Sequence, residues 1–147
     1  MRISSLLSLV AVLLTAPAIS RADAPDLKVT ATADYTEVHP ESTFDVTLSL
    51  ENLTNTVEKI KVPDGAWDRL WRSSTRLVTW DALDDGGGNT SSVVEIAPHE
   101  TYTFPDPLKM YVADSVKAPH IDFRVGFKTT AFGKTVWSAP ITLDVIQ

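Results

Sequence analysis

The 147-residue sequence contains no cysteine, which excludes a thiol nucleophile, a thiolate metal site, a disulfide bond and a cysteine-linked lipid anchor. The three histidines, His39, His99 and His120, form no HxH or HExxH motif. Each is adjacent to a proline, which is typical of exposed turns. No G-x-S-x-G elbow occurs, and the acidic residues are too scattered to mark a catalytic pair. We therefore expect no enzyme activity, no cofactor and no metal site.

Basic residues are in the minority. The chain has 13 Lys and Arg against 19 Asp and Glu, a net charge of −6, and no stripe of basic residues. It therefore lacks the positive surface that supplies most nucleic-acid affinity, and an anionic membrane would repel it. The composition favours neither nucleic acid nor a membrane surface as a partner.

Long apolar runs are absent apart from residues 6–14. This run is shorter than the roughly 20 residues that span a bilayer, and its setting behind Arg2 is that of a secretory signal peptide. Small residues predict cleavage after Ala22, with Ser20 and Ala24 as competing sites.

The expected organisation is a signal peptide at residues 1–22 and one secreted or periplasmic domain at residues 23–147. Loss of Arg2 and Arg21 would change the net charge from −6 to −8, with 11 basic residues left against 19 acidic ones. Without disulfides this domain must rely on a hydrophobic core, and its length is sufficient to bury one.

The mature region alternates apolar and polar residues with period two, the signature of half-buried strands. The clearest run is Phe44, Val46, Leu48 and Leu50. Weaker strands are predicted at five places, around Ile60 and Val62, Val78 and Trp80, Val94 and Ile96, Tyr102 and Phe104, and Met110 and Val112. The pattern predicts an all-β protein, an antiparallel Ig-like β-sandwich of seven to nine strands, with a jelly roll or a small barrel as alternatives.

The last part of the chain predicts a β-hairpin. Its strands cover residues 121–127 and 137–145, with residues 132–134 as the turn. The alternation places Trp137 on the inward, core face. Pro140 cannot donate to a β-ladder, and it indicates an edge position or a bulge in the last strand.

Two stretches carry a resemblance to known proteins. Residues 44–56, FDVTLSLENLTNT, and 96–104, IAPHETYTF, resemble bacterial Ig-like domains that pair an F-x-V-x-L-x-L-x-N strand with a later P-G-E-x-x-x-F turn and strand. His99 stands where that pattern has glycine. Residues 67–74, with the later FRVGF and WSAPITLDV, are similar to a set of uncharacterised secreted bacterial domains. The resemblance implies an Ig-like fold and no activity.

The stretch DDGGGNTSS, residues 84–92, allows several interpretations. An EF-type calcium loop would use Asp81 and Asp85, but Leu83 and Ser92 occupy positions that require oxygen ligands. A phosphate loop lacks its lysine. GGGN is similar to the contact loop of chagasin-like protease inhibitors, whose companion motifs are missing. We interpret the stretch as a flexible connection, with binding as the alternative, either of a partner or of an ion at an irregular site of Asp84, Asp85 and Asn89.

The better candidate for a binding site is the segment WDRLWR at residues 67–72. A spacing of four places Trp67 and Trp71 on one side of the segment, whether it is a helical turn or a strand. Exposed, the indoles would form a platform for a sugar or a protein, with polar contacts from Arg69 and Arg72. Buried, they would close one end of the sandwich. Asp64, in the turn before them, is a possible helix N-cap.

The sequence thus supports a non-catalytic module that binds another secreted or envelope protein, through an edge strand or through Trp67 and Trp71. The alternatives are a carbohydrate-binding module that contacts polysaccharide with its aromatic residues, and a protease inhibitor.

Overall fold

The computed structural model describes residues 26–80, 90–128 and 133–147. Within these ranges the protein is all-β, with one short 3₁₀ helix, Trp67–Leu70. The predicted signal peptide and residues 84–89 of the glycine-rich stretch lie outside them. The strands are, in chain order, β1 (Leu27–Ala33), β2 (Glu37–Val38), β3 (Thr43–Asn52), β4 (Glu58–Pro63), β5 (Trp71–Ser73), β6 (Val78–Thr79), β7 (Ser91–Ile96), β8 (Thr101–Thr103), β9 (Leu108–Val112), β10 (His120–Phe123), β11 (Val125–Lys128), β12 (Thr135–Trp137) and β13 (Ile141–Val145).

The largest sheet has the order β1-β3-β9-β6, and β8 also pairs with β3. All of its ladders are antiparallel. Strand β3 is central because it pairs with β1, β8 and β9. Its apolar residues alternate strictly, so Phe44, Val46, Leu48 and Leu50 are all buried on one face. The alternation in this part of the sequence therefore predicted both the strand and its buried face.

Two three-stranded sheets, β10-β13-β2 and β12-β11-β5, share the four strands of the last part of the chain and each add one earlier strand. Only Arg124 separates β10 from β11, and residues 138–140 separate β12 from β13. Ser138 bridges this interruption: its backbone N–H donates to the Val125 carbonyl at 2.9 Å, and its Oγ accepts from the Val125 N–H at 3.1 Å. These breaks produce more and shorter strands than the seven to nine predicted.

Aromatic contacts join the largest sheet to these two sheets. Phe44 of β3 meets Phe123 of β10 edge to face, with ring centroids 6.0 Å apart. Several sheets, antiparallel except for the short parallel pair of β2 and β13, surround one hydrophobic core, which is consistent with a β-sandwich.

The strands of the terminal hairpin pair as predicted, β10 with β13 and β11 with β12, and residue 132 of the predicted turn lies outside the described residues. The core position predicted for Trp137 is wrong, because its side chain is 39% exposed and Ser138 is buried. The strand is interrupted between Trp137 and Ile141, where Pro140 cannot donate, and the buried positions shift by one residue across the interruption. Leu143 and Val145 resume the inward face.

Candidate binding cleft

The segment with the two tryptophans folds as a 3₁₀ turn followed by strand β5. A turn precedes it, in which Gly65 has φ of 67° and the Ala66 N–H donates to the Pro63 carbonyl at 3.3 Å. The N-cap residue is Ala66, without a side-chain cap, so the capping role predicted for Asp64 is wrong. The Asp64 backbone N–H instead donates to the Thr90 carbonyl at 3.2 Å.

The two indoles share Phe104 as a neighbour but differ in exposure. Trp71 is fully buried, edge to face with Phe104 at 5.2 Å and with Phe127 at 5.3 Å. Trp67 is half-buried and stacks on Phe104, with ring centroids 5.5 Å apart and an angle of 29° between the planes. Both indoles therefore contact the ring of Phe104, and only Trp67 is accessible to a partner.

The structure does not bring the four predicted binding residues into one surface. Trp71 is in the core because β5 pairs with β11 and turns this side chain inward, so it cannot contact a partner. Arg72 is exposed and donates from Nη1 to the Trp71 carbonyl at 3.0 Å. Arg69 is exposed on the 3₁₀ turn. Neither arginine lines the cleft that Trp67 borders.

That cleft is open to solvent and has a volume of about 200 Å³. It lies where the end of β4, the 3₁₀ turn, the start of β7 and the turn after β8 meet. Its walls combine three aromatic side chains with two aspartates and two prolines. The lining residues are Val62, Pro63, Asp64, Gly65, Trp67, Ser92, Tyr102, Phe104, Pro105 and Asp106.

Strands β4 and β7 form an antiparallel ribbon that fixes one wall of the cleft. Val62 pairs with Ser92, so both reach the cleft from neighbouring strands. Farther along the ribbon Lys59 and Glu95 are opposite each other, with Nζ 2.7 Å from the carboxylate. The hydrogen bond and charge of Glu95 raise the pKa of Lys59 above its ordinary value. This exposed pair supports the register of the ribbon.

The buried side chain of Asn52, at the end of β3, holds the turn that leads into β8, the strand that carries Tyr102. Its Nδ2 contacts the carbonyls of Thr56 at 2.7 Å, Ile96 at 2.9 Å and Ala97 at 3.2 Å. Its Oδ1 accepts from the N–H and hydroxyl of Thr54 at 2.9 and 2.8 Å. The asparagine thus ties the turn after β3 to the turn that leads into β8.

The two stretches that carry the Ig-like resemblance therefore meet at Asn52. The backbone N–H of His99 donates to the Asn52 carbonyl at 3.0 Å, and the Asn52 N–H donates to the Glu100 carbonyl at 3.0 Å. His99 has φ of 61°, in the left-handed region where the pattern has glycine. Beyond this turn, Tyr102 pairs with Leu50, and Phe104 donates its N–H to the Leu48 carbonyl.

Sequence reasoning missed most of the cleft. Tyr102 and Phe104 were predicted only as strand residues, and Asp106 was not selected. The Y-x-F alternation was the available signal, but Tyr102 and Phe104 reach Trp67 only through the pairing of β8 with β3. The calcium and inhibitor-loop interpretations concern residues 81–89, which lie outside the described residues.

Within the described ranges, no three histidine or acidic side chains are grouped so that they could hold a metal ion. In the same part of the chain, no helix has the length and apolar character to cross a membrane.

Comparison with known proteins shows a likeness of fold alone. No family model matches the sequence, and no curated protein matches it. The chain is similar to the crystal structure of a FixG-related protein from Vibrio parahaemolyticus, at 11% identity and a TM-score of 0.50, over 84% of this chain and 100% of that one. A weaker likeness is to the DNA glycosylase AlkC of Pseudomonas fluorescens, at 8% identity and a TM-score of 0.44, over 85% of this chain and 32% of that one. Another weak likeness is to alpha-2-macroglobulin of Escherichia coli, at 12% identity and a TM-score of 0.40, over 83% of this chain and 17% of that one.

Proposed function

We propose that this chain is a non-catalytic, Ig-like module, secreted or periplasmic, that binds another protein through the cleft beside Trp67. The Ig-like assignment is supported by the largely antiparallel sheets and by the first two strands, which belong to different sheets. Strand β1 pairs with β3, whereas β2 pairs with β13 in another sheet.

One observation carries the proposed binding role: the indole of Trp67 is half-buried in an open cleft and is held from behind by Phe104. Rigid aromatic residues beside a concave surface are the usual centres of protein-binding sites, because they bury much apolar area at a low cost in side-chain entropy. The signal peptide predicted from the sequence directs the search for the partner to secreted and envelope proteins.

Polysaccharide is the second candidate ligand, because an accessible indole can stack on a sugar ring while neighbouring carboxylates accept hydrogen bonds from its hydroxyl groups. It is less favoured because the platform would need two exposed rings. Here Trp71 is buried, and Phe104 covers one face of Trp67.

Co-purification with two tryptophan variants tests the proposal. Trp67→Ala removes the cleft indole, and Trp137→Ala removes an exposed indole that does not line the cleft. We expect one specific envelope or secreted protein to co-purify with the wild type and with Trp137→Ala, and to be lost with Trp67→Ala. A partner that binds all three proteins equally would contradict the proposal. Trp67-dependent retention on polysaccharide, with no protein partner, would establish the second candidate instead.

A further inference from the structure

We propose that the cleft beside Trp67 receives an arginine side chain of the partner protein. This inference rests on the proposed function, since it names the chemistry by which the same cleft would recognise its protein ligand. Size is the first consideration. A volume of about 200 Å³ is below the roughly 300–1,000 Å³ of pockets for drug-sized molecules, and it suits a single inserted side chain.

The charge of the cleft lining indicates that the inserted side chain is positively charged. Asp64 and Asp106 both line the cleft, and none of the lining residues is basic. The whole chain has a net charge of −6. Two carboxylates make the lining of this small cleft acidic, which favours a cation over a neutral sugar. Complementary charge would also speed the encounter with a basic partner.

The hydrogen-bonding groups at the rim of the cleft also favour a cationic side chain that donates hydrogen bonds. Pro63 and Pro105 have no backbone N–H, and the N–H of Asp64 is bonded to the Thr90 carbonyl at 3.2 Å. The polar side chains of these two turns are the carboxylates of Asp64 and Asp106, which are acceptors when ionised. A ligand that consists of donors satisfies such a rim, and the guanidinium group has five N–H donors and no acceptor.

The aromatic wall selects arginine over lysine. Phe104 stacks on Trp67 at 5.5 Å and supports it, and Tyr102 packs edge to face on Phe104 at 5.2 Å. A planar guanidinium stacks on an indole and still forms two parallel bonds to a carboxylate, whereas an ammonium group is a hydrated point charge. Trp67, Asp64 and Asp106 together would contact all of the arginine head group.

A titration of the ¹⁵N-labelled protein by NMR tests this assignment. The probe is the peptide acetyl-Gly-Ser-Arg-Ser-Gly-amide, with Lys and Gln in place of Arg as matched peptides. The indole N–H of Trp67 is the readout, assigned with Trp67→Phe, and the indole of Trp137 is the internal control. We expect the arginine peptide to shift the Trp67 signal saturably, and the lysine and glutamine peptides to bind at least about tenfold more weakly.

Paired variants complete the test. Asp64→Asn with Asp106→Asn should weaken the arginine peptide about tenfold. Glu37→Gln with Asp114→Asn removes two acids that do not line the cleft and should leave binding unchanged. Equal shifts with all three peptides, or an unchanged affinity in the first double variant, would overturn the inference. If the partner still depends on Trp67 while the arginine peptide causes no shift, the inference fails and the proposed function stands. If the partner does not depend on Trp67, the proposed function fails.

Discussion

The ring of Trp67 stacks on that of Phe104, with centroids 5.5 Å apart, and Phe104 in turn contacts the buried Trp71 at 5.2 Å. One phenylalanine therefore joins the cleft to the core. This contact orients Trp67 without burying it, since the indole remains half-exposed. The arrangement separates two roles that the sequence could not distinguish, because Trp67 borders the cleft and Trp71 stabilises the fold.

Substitution of the two tryptophans should separate these roles experimentally. Trp71→Ala leaves a cavity among Phe104 and Phe127 and should lower the free energy of unfolding by about 3–5 kcal/mol. Trp71→Phe should cost less and leave binding unchanged. Trp67→Ala should cost less than Trp71→Ala and abolish partner binding. Urea unfolding followed by circular dichroism measures the stabilities, and equal losses for the two alanine variants would contradict this assignment.

Replacement of Asn52 should destabilise the protein in a pH-dependent way. Asn52→Asp points a buried carboxylate at the carbonyls of Thr56, Ile96 and Ala97 and removes their donor, so we expect a loss of about 3 kcal/mol or more at pH 7. These acceptors raise the pKa of the new carboxyl group in the folded state. Its protonation restores one donor, so the loss should shrink as the pH falls towards about 4.

Asn52→Ala is the matched control, because it removes the same hydrogen bonds without adding a titratable group. The stability difference between the two variants should therefore vary with pH. A difference that stays constant between pH 4 and 7 in urea titrations would contradict the buried contacts of Asn52.

His99 should be in a strained backbone conformation. Its φ of 61° is unfavourable for a residue with a Cβ atom. Its ring also contacts the Asn55 side chain at 2.9 Å, so a single substitution would mix two effects. His99→Gly and His99→Ala both remove the ring, and only the alanine variant keeps the strain. Thermal unfolding should find the glycine variant more stable by about 1 kcal/mol; equal stabilities would exclude the strain.

Gly126 should be required for the position of Trp137. A Cβ atom at residue 126 would lie 2.6 Å from the Trp137 ring and 2.5 Å from the Thr135 methyl group. Gly126→Ala should therefore cost about 1–3 kcal/mol. Combining it with Trp137→Ala removes part of the clash, so the costs of the two substitutions should add to more than the cost of the double variant. Simple additivity in urea unfolding would show that the ring does not cover this glycine.

The sequence predicted the strands well and the cleft poorly, for one physical reason. Alternation reports which face of a strand is buried, so the inward face of β3 could be predicted from Phe44 to Leu50. The same rule placed Trp137 wrongly because the interruption at residues 138–140 shifts the alternation by one residue, so Trp137 does not share the inward face of Leu143 and Val145. The cleft is assembled from segments that are distant in sequence, such as those of Asp64 and Asp106, and no local period encodes this arrangement.

Photo-crosslinking in the native compartment is the most direct test of the cleft, with benzoylphenylalanine in place of Ser92, an exposed residue of the cleft wall, or in place of Asp114, in a turn that does not line the cleft. We predict one protein adduct from position 92, none from position 114, and loss of the adduct when Trp67→Ala is added. An absence of adducts from position 92, or the same adducts from both positions, would contradict a protein-binding cleft beside Trp67.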